Sequence, residues 1–221
     1  MKTASTIRAI ATVAAFAGLA TLGSATTAQA AETPAGARSA SGASVSAGSL
    51  IAHFGYDGQK SFQSPVLDAS DPKAKDPANW LPKSVIDSAK AAQAGKLSGV
   101  GVNSATAGLL CTIFVDRTKP LSLDSLQAVT NQDCTGSFRS QWTQAQFAND
   151  KGGWHRVTGS IVGPRTTGSN NDTVFWMNCR LNPVDGRRNY RLEARGYAIA
   201  SNGVQVSGAL QYGRADAWVC L

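Results

Sequence analysis

The sequence predicts a mostly β protein, a two-layer antiparallel β-sandwich that is immunoglobulin-like or a small barrel, with a short N-terminal helix. Two observations support this fold class. Residues 106–221 contain short segments in which apolar and polar side chains alternate, and Gly- or Asn-containing turns separate them. Four cysteines lie in the same region, which suits a β domain stapled by disulfides.

The alternation defines about seven short strands, as expected for a sandwich or small barrel. They are expected at 109–116, 137–146, 154–162, 173–181, 188–200, 204–211 and 214–220. Turns are expected at 151–153, 170–172, 185–186 and 201–203, where Gly or Asn tolerates positive φ. The side chains expected to point inward are Leu109, Cys111, Ile113, Val115, Phe175, Met177, Cys179, Leu181, Tyr190, Leu192 and Ala194, with Trp218 and Cys220 on a shared apolar face.

Residues 1–30 have the three parts of a secretory signal peptide. Two basic residues, Lys2 and Arg8, precede an apolar stretch, and Ala28-Gln29-Ala30 forms a cleavage motif. A membrane anchor fits less well because the apolar stretch is short and contains Thr and Gly. We therefore expect a secreted, extracellular protein with no membrane span after signal cleavage.

Two further segments precede the predicted β domain at 106–221. Residues 31–49 are mostly Ala, Ser, Gly and Thr, a composition that cannot bury enough apolar surface to order itself, so a flexible leader is expected. Residues 50–105 are expected to form a loop-and-helix extension. Its helix, from about 82 to 94, has apolar residues at helical spacing and is expected to end at Gly95 and to lean on the β domain.

The four cysteines of a secreted chain are expected to form two disulfides. Of the three possible connectivities, Cys111–Cys134 and Cys179–Cys220 are favoured because each closes a local loop between neighbouring strands. A metal site is disfavoured, since the sequence has no C-x-x-C pair and His155 is isolated. Pairing also leaves no thiol to act as a nucleophile.

The sequence contains no convergent catalytic set. Neither His53 nor His155 lies near a nucleophile-elbow motif, and most of the twelve Asp residues adjoin Pro, Gly or Asn, where they cap turns. Glu193 alternates with Arg191 and Arg195, which predicts an exposed surface ion pair. No phosphate loop or dinucleotide fingerprint is present. We expect a protein that is not an enzyme and has no catalytic residue, metal or cofactor.

The basic side chains are concentrated in the β domain. The chain has a net charge of +7, and residues 106–221 have twelve basic and eight acidic side chains. The candidate ligand-binding residues are Arg180, Arg187, Arg188, Arg191 and Arg195, with Arg214 as a further candidate on a neighbouring strand. An arginine-rich strand face can bind an anionic cell-envelope polymer by salt-dependent contacts. The alternative is that the arginines only keep strand edges soluble.

Five tryptophans suggest a second way to bind a ligand, by stacking on sugar rings. In a β domain most tryptophans are expected in the core, and Trp176 and Trp218 are the core candidates. Trp154, beside a Gly-Gly turn, is expected to be exposed.

The segment RLEARGYAIASNGVQVSG at 191–208, the cysteine spacing and the Ala-rich leader resemble the small secreted two-disulfide β proteins of actinobacteria, Streptomyces-like in style. The resemblance covers roughly residues 107–221 and implies a two-disulfide β fold with no known activity. The chain is also similar to the secreted α-amylase inhibitors of streptomycetes, which end in Cys-Leu as Cys220-Leu221 does. Their Trp-Arg-Tyr motif is missing after Cys111, so no inhibitory residue is assigned.

The sequence thus predicts a secreted non-catalytic β-sandwich protein that binds an extracellular or cell-envelope polyanion or glycan. The alternative is an inhibitor of an extracellular hydrolase, with an extracellular protein as partner, since disulfide-braced loops lower the entropy cost of docking. A hydrolase would come into question only if His155 and an acid met in a pocket. The sequence leaves the ligand and the oligomeric state open.

Overall fold

The computed structural model describes residues 35–39, 50–97, 107–180 and 186–220, so the predicted signal peptide lies outside the described residues. One α-helix, α1 (Lys83–Leu97), and two 3₁₀-helices, Pro72–Lys75 and Pro77–Asn79, occur in this part of the chain. Its strands are β1 (Ala35–Ser39), β2 (Leu50–Tyr56), β3 (Ser61–Gln63), β4 (Leu67–Asp68), β5 (Leu109–Val115), β6 (Lys119–Ser122), β7 (Ser125–Gly136), β8 (Phe138–Asn149), β9 (His155–Arg156), β10 (Ile161–Val162), β11 (Asn170–Asn178), β12 (Arg187–Ala200), β13 (Gln205–Ser207), β14 (Gln211–Tyr212) and β15 (Asp216–Val219).

The strands form two antiparallel sheets, which confirms the predicted mostly β sandwich. Sheet A has eight strands in the order β1-β11-β7-β5-β2-β3, and β4 and β6 add to β2 and β7. Sheet B has seven strands and is built on the long antiparallel pair β8 and β12. Short strands flank this pair: β9 and β10 lie along β8, while β15, β14 and β13 follow one another along β12.

The core lies between the sheets and is made by alternate side chains of the long strands. One cluster joins Phe175 and Met177 of sheet A to Phe147, Tyr190 and Leu192 of sheet B. A second cluster contains Phe54, Leu109, Cys111, Ile113, Ala198 and Val206. These clusters confirm the predicted inward faces of β5, β11 and β12, while Leu181 lies outside the described residues.

Both favoured disulfides are present. Cys111 and Cys134 lie directly opposite each other on β5 and β7, so this bond staples sheet A internally. Cys179 follows β11 and Cys220 follows β15, so the second bond ties sheet A to sheet B. Each bond closes a loop in the unfolded chain and should stabilise the fold by about 2–4 kcal/mol.

The predicted flexible leader at 31–49 is wrong at residues 35–39, which form the edge strand β1 paired with β11. Composition missed this strand because ladder hydrogen bonds come from the main chain and require no particular side chain. Gly36 crosses the ring of Trp176 so closely that an added Cβ would lie 2.6 Å from ring carbon Cζ2. Trp176 therefore lies half-buried on the outer face of sheet A, and its predicted place in the core is wrong.

The predicted extension at 50–105 is also wrong at its start, because β2 lies between β5 and β3 within sheet A. The sequence of β2 lacks alternation since both of its faces are buried, and strands covered on both sides read as continuous runs. The strand β7 was missed for a different reason. Its inward face includes the polar residues Thr130 and Gln132, which hide the apolar period of two.

Helix α1 packs on the outer face of sheet A, as its predicted leaning on the β domain requires. The buried side of the helix consists of Val85, Ala89 and Ala92. A Cβ at Gly55 of β2 would lie 2.4 Å from the Val85 Cγ1 atom, so this glycine permits the close approach. The helix continues to Leu97, so Gly95 lies inside it and does not end it as predicted.

The predicted turns have mixed outcomes. Positive φ angles at Gly152 and Gly203 confirm the turns at 151–153 and 201–203, whereas 170–172 begins the strand β11. Residue 185 lies outside the described residues. The predicted strands at 154–162 and 204–211 each divide into two short strands. No helix in the described part of the chain is long and apolar enough to cross a membrane.

Candidate binding site on the outer face of sheet B

The outer face of sheet B brings polar and aromatic side chains together on β8 and β12. Successive residues of a strand face opposite sides of the sheet, so the residues between the core positions point outward. The strand register then sets the neighbours across the two strands. The paired outward positions are Arg191 with Ala148, Glu193 with Gln146, Arg195 with Gln144 and Tyr197 with Trp142.

Arg191 and Glu193 form the centre of this face. The Arg191 Nε and Nη2 atoms donate to Glu193 Oε1 at 3.1 and 2.7 Å. Gln146 Nε2 donates to Glu193 Oε2 at 3.0 Å, and Arg156 Nε lies 3.9 Å from the same oxygen. The side chains of Arg191 and Glu193 are only 15% and 10% exposed, so the predicted exposed ion pair is in fact largely buried.

Two aromatic rings explain this burial. The guanidinium carbon of Arg191 lies 3.9 Å from the Trp154 ring centroid and 4.2 Å from the Tyr212 ring centroid. Cation–π contacts of this kind stabilise by about 0.5–2 kcal/mol each. Trp154 is 40% exposed, which confirms the prediction for this tryptophan. We call Trp154, Arg191 and Tyr212 the first stack.

A second stack lies on the same face, further along β12 at Tyr197. The rings of Trp142 and Tyr197 are parallel, with centroids 5.2 Å apart, and the Arg165 guanidinium lies 4.2 Å from the Trp142 centroid. These neighbours leave Trp142 only 5% exposed although it points away from the core. Aromatic burial in this protein is therefore achieved partly on an outer sheet face.

A cleft of about 320 Å³ opens between the two stacks; we call it the sheet B cleft. It extends from Tyr197 of the second stack to Glu193, the partner of Arg191 in the first. Its lining consists of Gln144, Ala145, Gln146, Arg156, Ser160, Glu193, Arg195, Tyr197 and Leu210. Strands β8 and β12 hold most of these residues, so the cleft floor is part of a hydrogen-bonded sheet.

The charges of the cleft are not balanced. Glu193 is already engaged by Arg191, whereas the Arg156 side chain is 66% exposed and contacts Glu193 only at 3.9 Å. The half-buried Arg195 forms no ion pair among the described residues, although its Nε atom is itself buried. Two guanidinium groups therefore remain to bind an anion.

The structure separates the five arginines that the sequence grouped together. Arg191 and Arg195 share the outer face of β12, but Arg180 pairs with Asp124 at 3.0 Å beyond the end of β11. Arg187 lines a different cavity with Leu123 and Trp218. Arg188 has the opposite strand parity and lies across from Trp218. The prediction that all five arginines share one strand face is therefore wrong. Arg188 points to the other side of the sheet, and Arg180 and Arg187 lie near strand ends away from Arg191 and Arg195.

Several residues of the site were missed in the sequence. Arg156, Tyr212 and Leu210 come from short strands or loops, and Gln144 and Gln146 come from β8. The alternation of polar residues along β8 gave a signal for its outer face, but which residues would meet Arg195 depends on the β8–β12 register. Arg214 lines a neighbouring cavity of about 250 Å³ beside Trp154 and Arg191.

The two histidines lie outside the cleft. His53 is fully buried on the other side of the molecule, where Nδ1 lies 2.9 Å from Thr112 Oγ1 and Nε2 lies 2.6 Å from the Ala74 carbonyl oxygen. Burial holds the pKa of His53 below its ordinary value. His155 is exposed on β9. Within the described ranges, no group of three or more His, Cys, Asp or Glu side chains is placed to hold a metal ion.

Comparison with known proteins assigns no family to this chain. A scan against protein-family models finds no match, and a search of curated proteins finds none. Among solved structures, the chain is similar to the GAE domain of yeast GGA1, with 11% sequence identity and a TM-score of 0.22. The alignment covers 46% of this chain and 89% of that one. The geometry of the sheet B cleft is therefore the basis for a functional proposal.

Proposed function

We propose that this protein is secreted, has no catalytic activity and binds an anionic glycan or polymer of the cell envelope through the sheet B cleft. The observation that carries the proposal is the pair Arg156 and Arg195, which line an open cleft whose carboxylate, Glu193, is already paired with Arg191. Guanidinium groups suit carboxylate and phosphate oxygens because they present donors in a planar fork.

The cleft is also held rigidly, which favours binding. Its floor belongs to the β8–β12 pair, and the first stack fixes one of its ends through two cation–π contacts and two hydrogen bonds. A site whose side chains are fixed before the ligand arrives avoids the entropy cost of ordering them. The outer face of a sheet is open along its length, so a polymer can lie across it.

Secretion is supported by the disulfides. All four cysteines are paired, and such bonds persist in oxidising compartments. This agrees with the predicted signal peptide and with the resemblance to secreted two-disulfide β proteins of actinobacteria.

The inhibitor alternative has less support from the geometry. The exposed triplet Trp154-His155-Arg156 differs in sequence from the Trp-Arg-Tyr motif of the α-amylase inhibitors, and the Trp154 ring lies against Arg191. A ring held against β12 is poorly placed to enter the active site of an enzyme.

A sedimentation assay tests the proposal. Purified cell walls and an acidic polysaccharide resin should retain the wild-type protein in low salt and release it as salt rises, because screening weakens exposed charge contacts. The double variant Arg156→Ser/Arg195→Ser should lose retention. The matched control Arg180→Ser/Arg187→Ser removes the same charge outside the cleft and should keep it.

Two results would contradict the proposal. Equal loss in both double variants would mean that only net charge matters. Retention of the wild-type protein that ignores salt would mean that the arginines do not make the contact.

A further inference from the structure

We infer that the sheet B cleft takes a single sugar ring that carries one negative charge, of which a uronate unit is the simplest example. The inference rests on the proposed function and narrows its ligand from a polymer class to a chemical unit. Three properties of the cleft lead to it: its size, its charge and the polar atoms it leaves unpaired.

The size favours one unit. A cleft of about 320 Å³ lies at the lower end of the range of about 300–1,000 Å³ for small-ligand pockets. The two stacks limit it at either end, since Tyr197 belongs to one stack and Glu193 is bound to the other. The rest of a polymer would extend over the open face without entering the cleft.

The charge favours a monoanion. Arg156 and Arg195 supply two guanidiniums, but the carboxylate of Glu193 lies in the same lining. The lining therefore has a net charge of +1, which a ligand with one negative charge neutralises, whereas a second negative charge would find no further guanidinium in the lining to offset it. A carboxylate can be shared between the two guanidiniums without placing excess charge against Glu193.

The uncharged lining favours a sugar ring. Gln144 uses its amide nitrogen to donate to Ser160, and Gln146 uses its amide nitrogen to donate to Glu193. The amide oxygen of each is left to accept from a ligand hydroxyl. Tyr197 and the 39% exposed Leu210 provide apolar surface for the C–H face of a ring. An acyclic polyol phosphate would use the arginines but gain little from this apolar surface.

The test uses matched oligosaccharides and calorimetry on the full disulfide-bonded protein. The probes are galacturonate oligosaccharides, the same oligosaccharides with their carboxylates methyl-esterified, and a glycerol phosphate oligomer of similar charge. We expect the acid form to bind at least about tenfold more tightly than the ester, since hydrogen bonds to charged groups contribute about 1.5–3 kcal/mol. The glycerol phosphate oligomer should bind more weakly than the acid form.

Two variants locate the contact. Arg195→Lys keeps the charge but loses the planar fork, so affinity for the acid form should fall several-fold while the ester is unaffected. Leu210→Ser, at an exposed position where misfolding is not expected, should weaken both sugars together. Circular dichroism and the thermal midpoint of each variant establish that the fold is retained.

The outcomes separate this inference from the proposed function. Equal affinity for acid and ester forms, or tighter binding of the glycerol phosphate oligomer, would overturn the monoanionic sugar. Retention on cell walls that depends on Arg156 and Arg195, without binding of any galacturonate probe, would also overturn it while the proposed function stands. If, in addition, retention on cell walls did not depend on Arg156 and Arg195, both this inference and the proposed function would be overturned.

Discussion

The outer faces of the two sheets differ in how far other parts of the chain cover them. Over β2 and β5, the outer face of sheet A is covered by α1 and the 3₁₀-helices, so that Ile51 and His53 of β2 and Val85 of α1 are completely buried. The outer face of sheet B has no such cover among the described elements, and its centre is a cleft lined by Arg156 and Arg195.

The polar groups of the two faces differ in what they bind. On sheet A, both ring nitrogens of His53 have partners within the protein, and its main-chain nitrogen donates to Ser64 Oγ at 2.9 Å. On sheet B, Arg195 forms no ion pair among the described residues, and the Arg156 side chain is 66% exposed. Buried polar groups normally satisfy one another, so we interpret the covered face as structural and the open face as the one with charge left for a ligand.

The largest effect is expected from breaking the cover of sheet A. The variant Val85→Asp places a charge in the fully buried contact between α1 and β2 and should destabilise the fold by about 3 kcal/mol, the scale of an unpaired buried charge. Urea denaturation measures this loss. Lys90→Asp, on the exposed side of the same helix, should change the stability by less than about 0.5 kcal/mol. Equal losses in the two variants would mean that α1 contributes no buried contact.

A smaller loss is expected from the centre of the open face. Glu193→Ala removes the partner of the largely buried Arg191 and should cost about 2 kcal/mol, in the range for hydrogen bonds to charged groups. The reference is Asp87→Ala, which breaks the exposed pair of Lys83 and Asp87 and should cost about 0.5 kcal/mol or less. Chemical denaturation of both variants checks the ranking, and a reversed order would show that burial does not strengthen the Arg191–Glu193 pair.

The covered face should also make the fold sensitive to mild acid. Because burial lowers the pKa of His53, the unfolded chain binds the proton more readily than the folded chain. Stability contributed by neutral His53 is thus complete above the unfolded pKa of about 6.5 and declines as the pH falls below it, through the lower pKa of the folded state. Denaturation at several pH values should show this slope in the wild-type protein and a flatter one in His53→Gln. Identical slopes would contradict the assignment.

The smallest effect is expected at the rim of the first stack. Trp154→Ala removes one of the two rings against Arg191 and should cost about 0.5–1 kcal/mol, as for an exposed cation–π contact. Tyr212→Ala removes the ring on the other side and should cost a similar amount. A loss near zero in both variants would show that Glu193 alone holds Arg191 in place.

The sequence predicted the fold where its periodicity was unbroken. The alternation in β5, β11 and β12 placed Ile113, Phe175 and Leu192 in the core, and an even number of cysteines gave the disulfides. The prediction failed for strands whose surroundings remove the alternation of apolar and polar residues. Burial on both sides hid β2, and inward polar residues such as Gln132 hid β7.

The site was predictable only in part. Arg191 and Arg195 share a strand and a parity, so sequence alone places them on one face. Arg156 reaches the cleft through the local pairing of β9 with β8, and Gln144 meets Arg195 through the pairing of β8 with the distant strand β12. Register between strands is a tertiary property, and a shift of one residue would turn every side chain of β8 to the opposite face.

The segmented flanks of sheet B have one more consequence. A guest strand from another molecule needs a long, straight row of free main-chain donors and acceptors to start templated growth. Along β12, no flanking strand offers a row longer than the four residues of β15, and along β8 the flanks are two residues each. A chain whose longest β pair is flanked in this way should resist fibril formation even at high concentration.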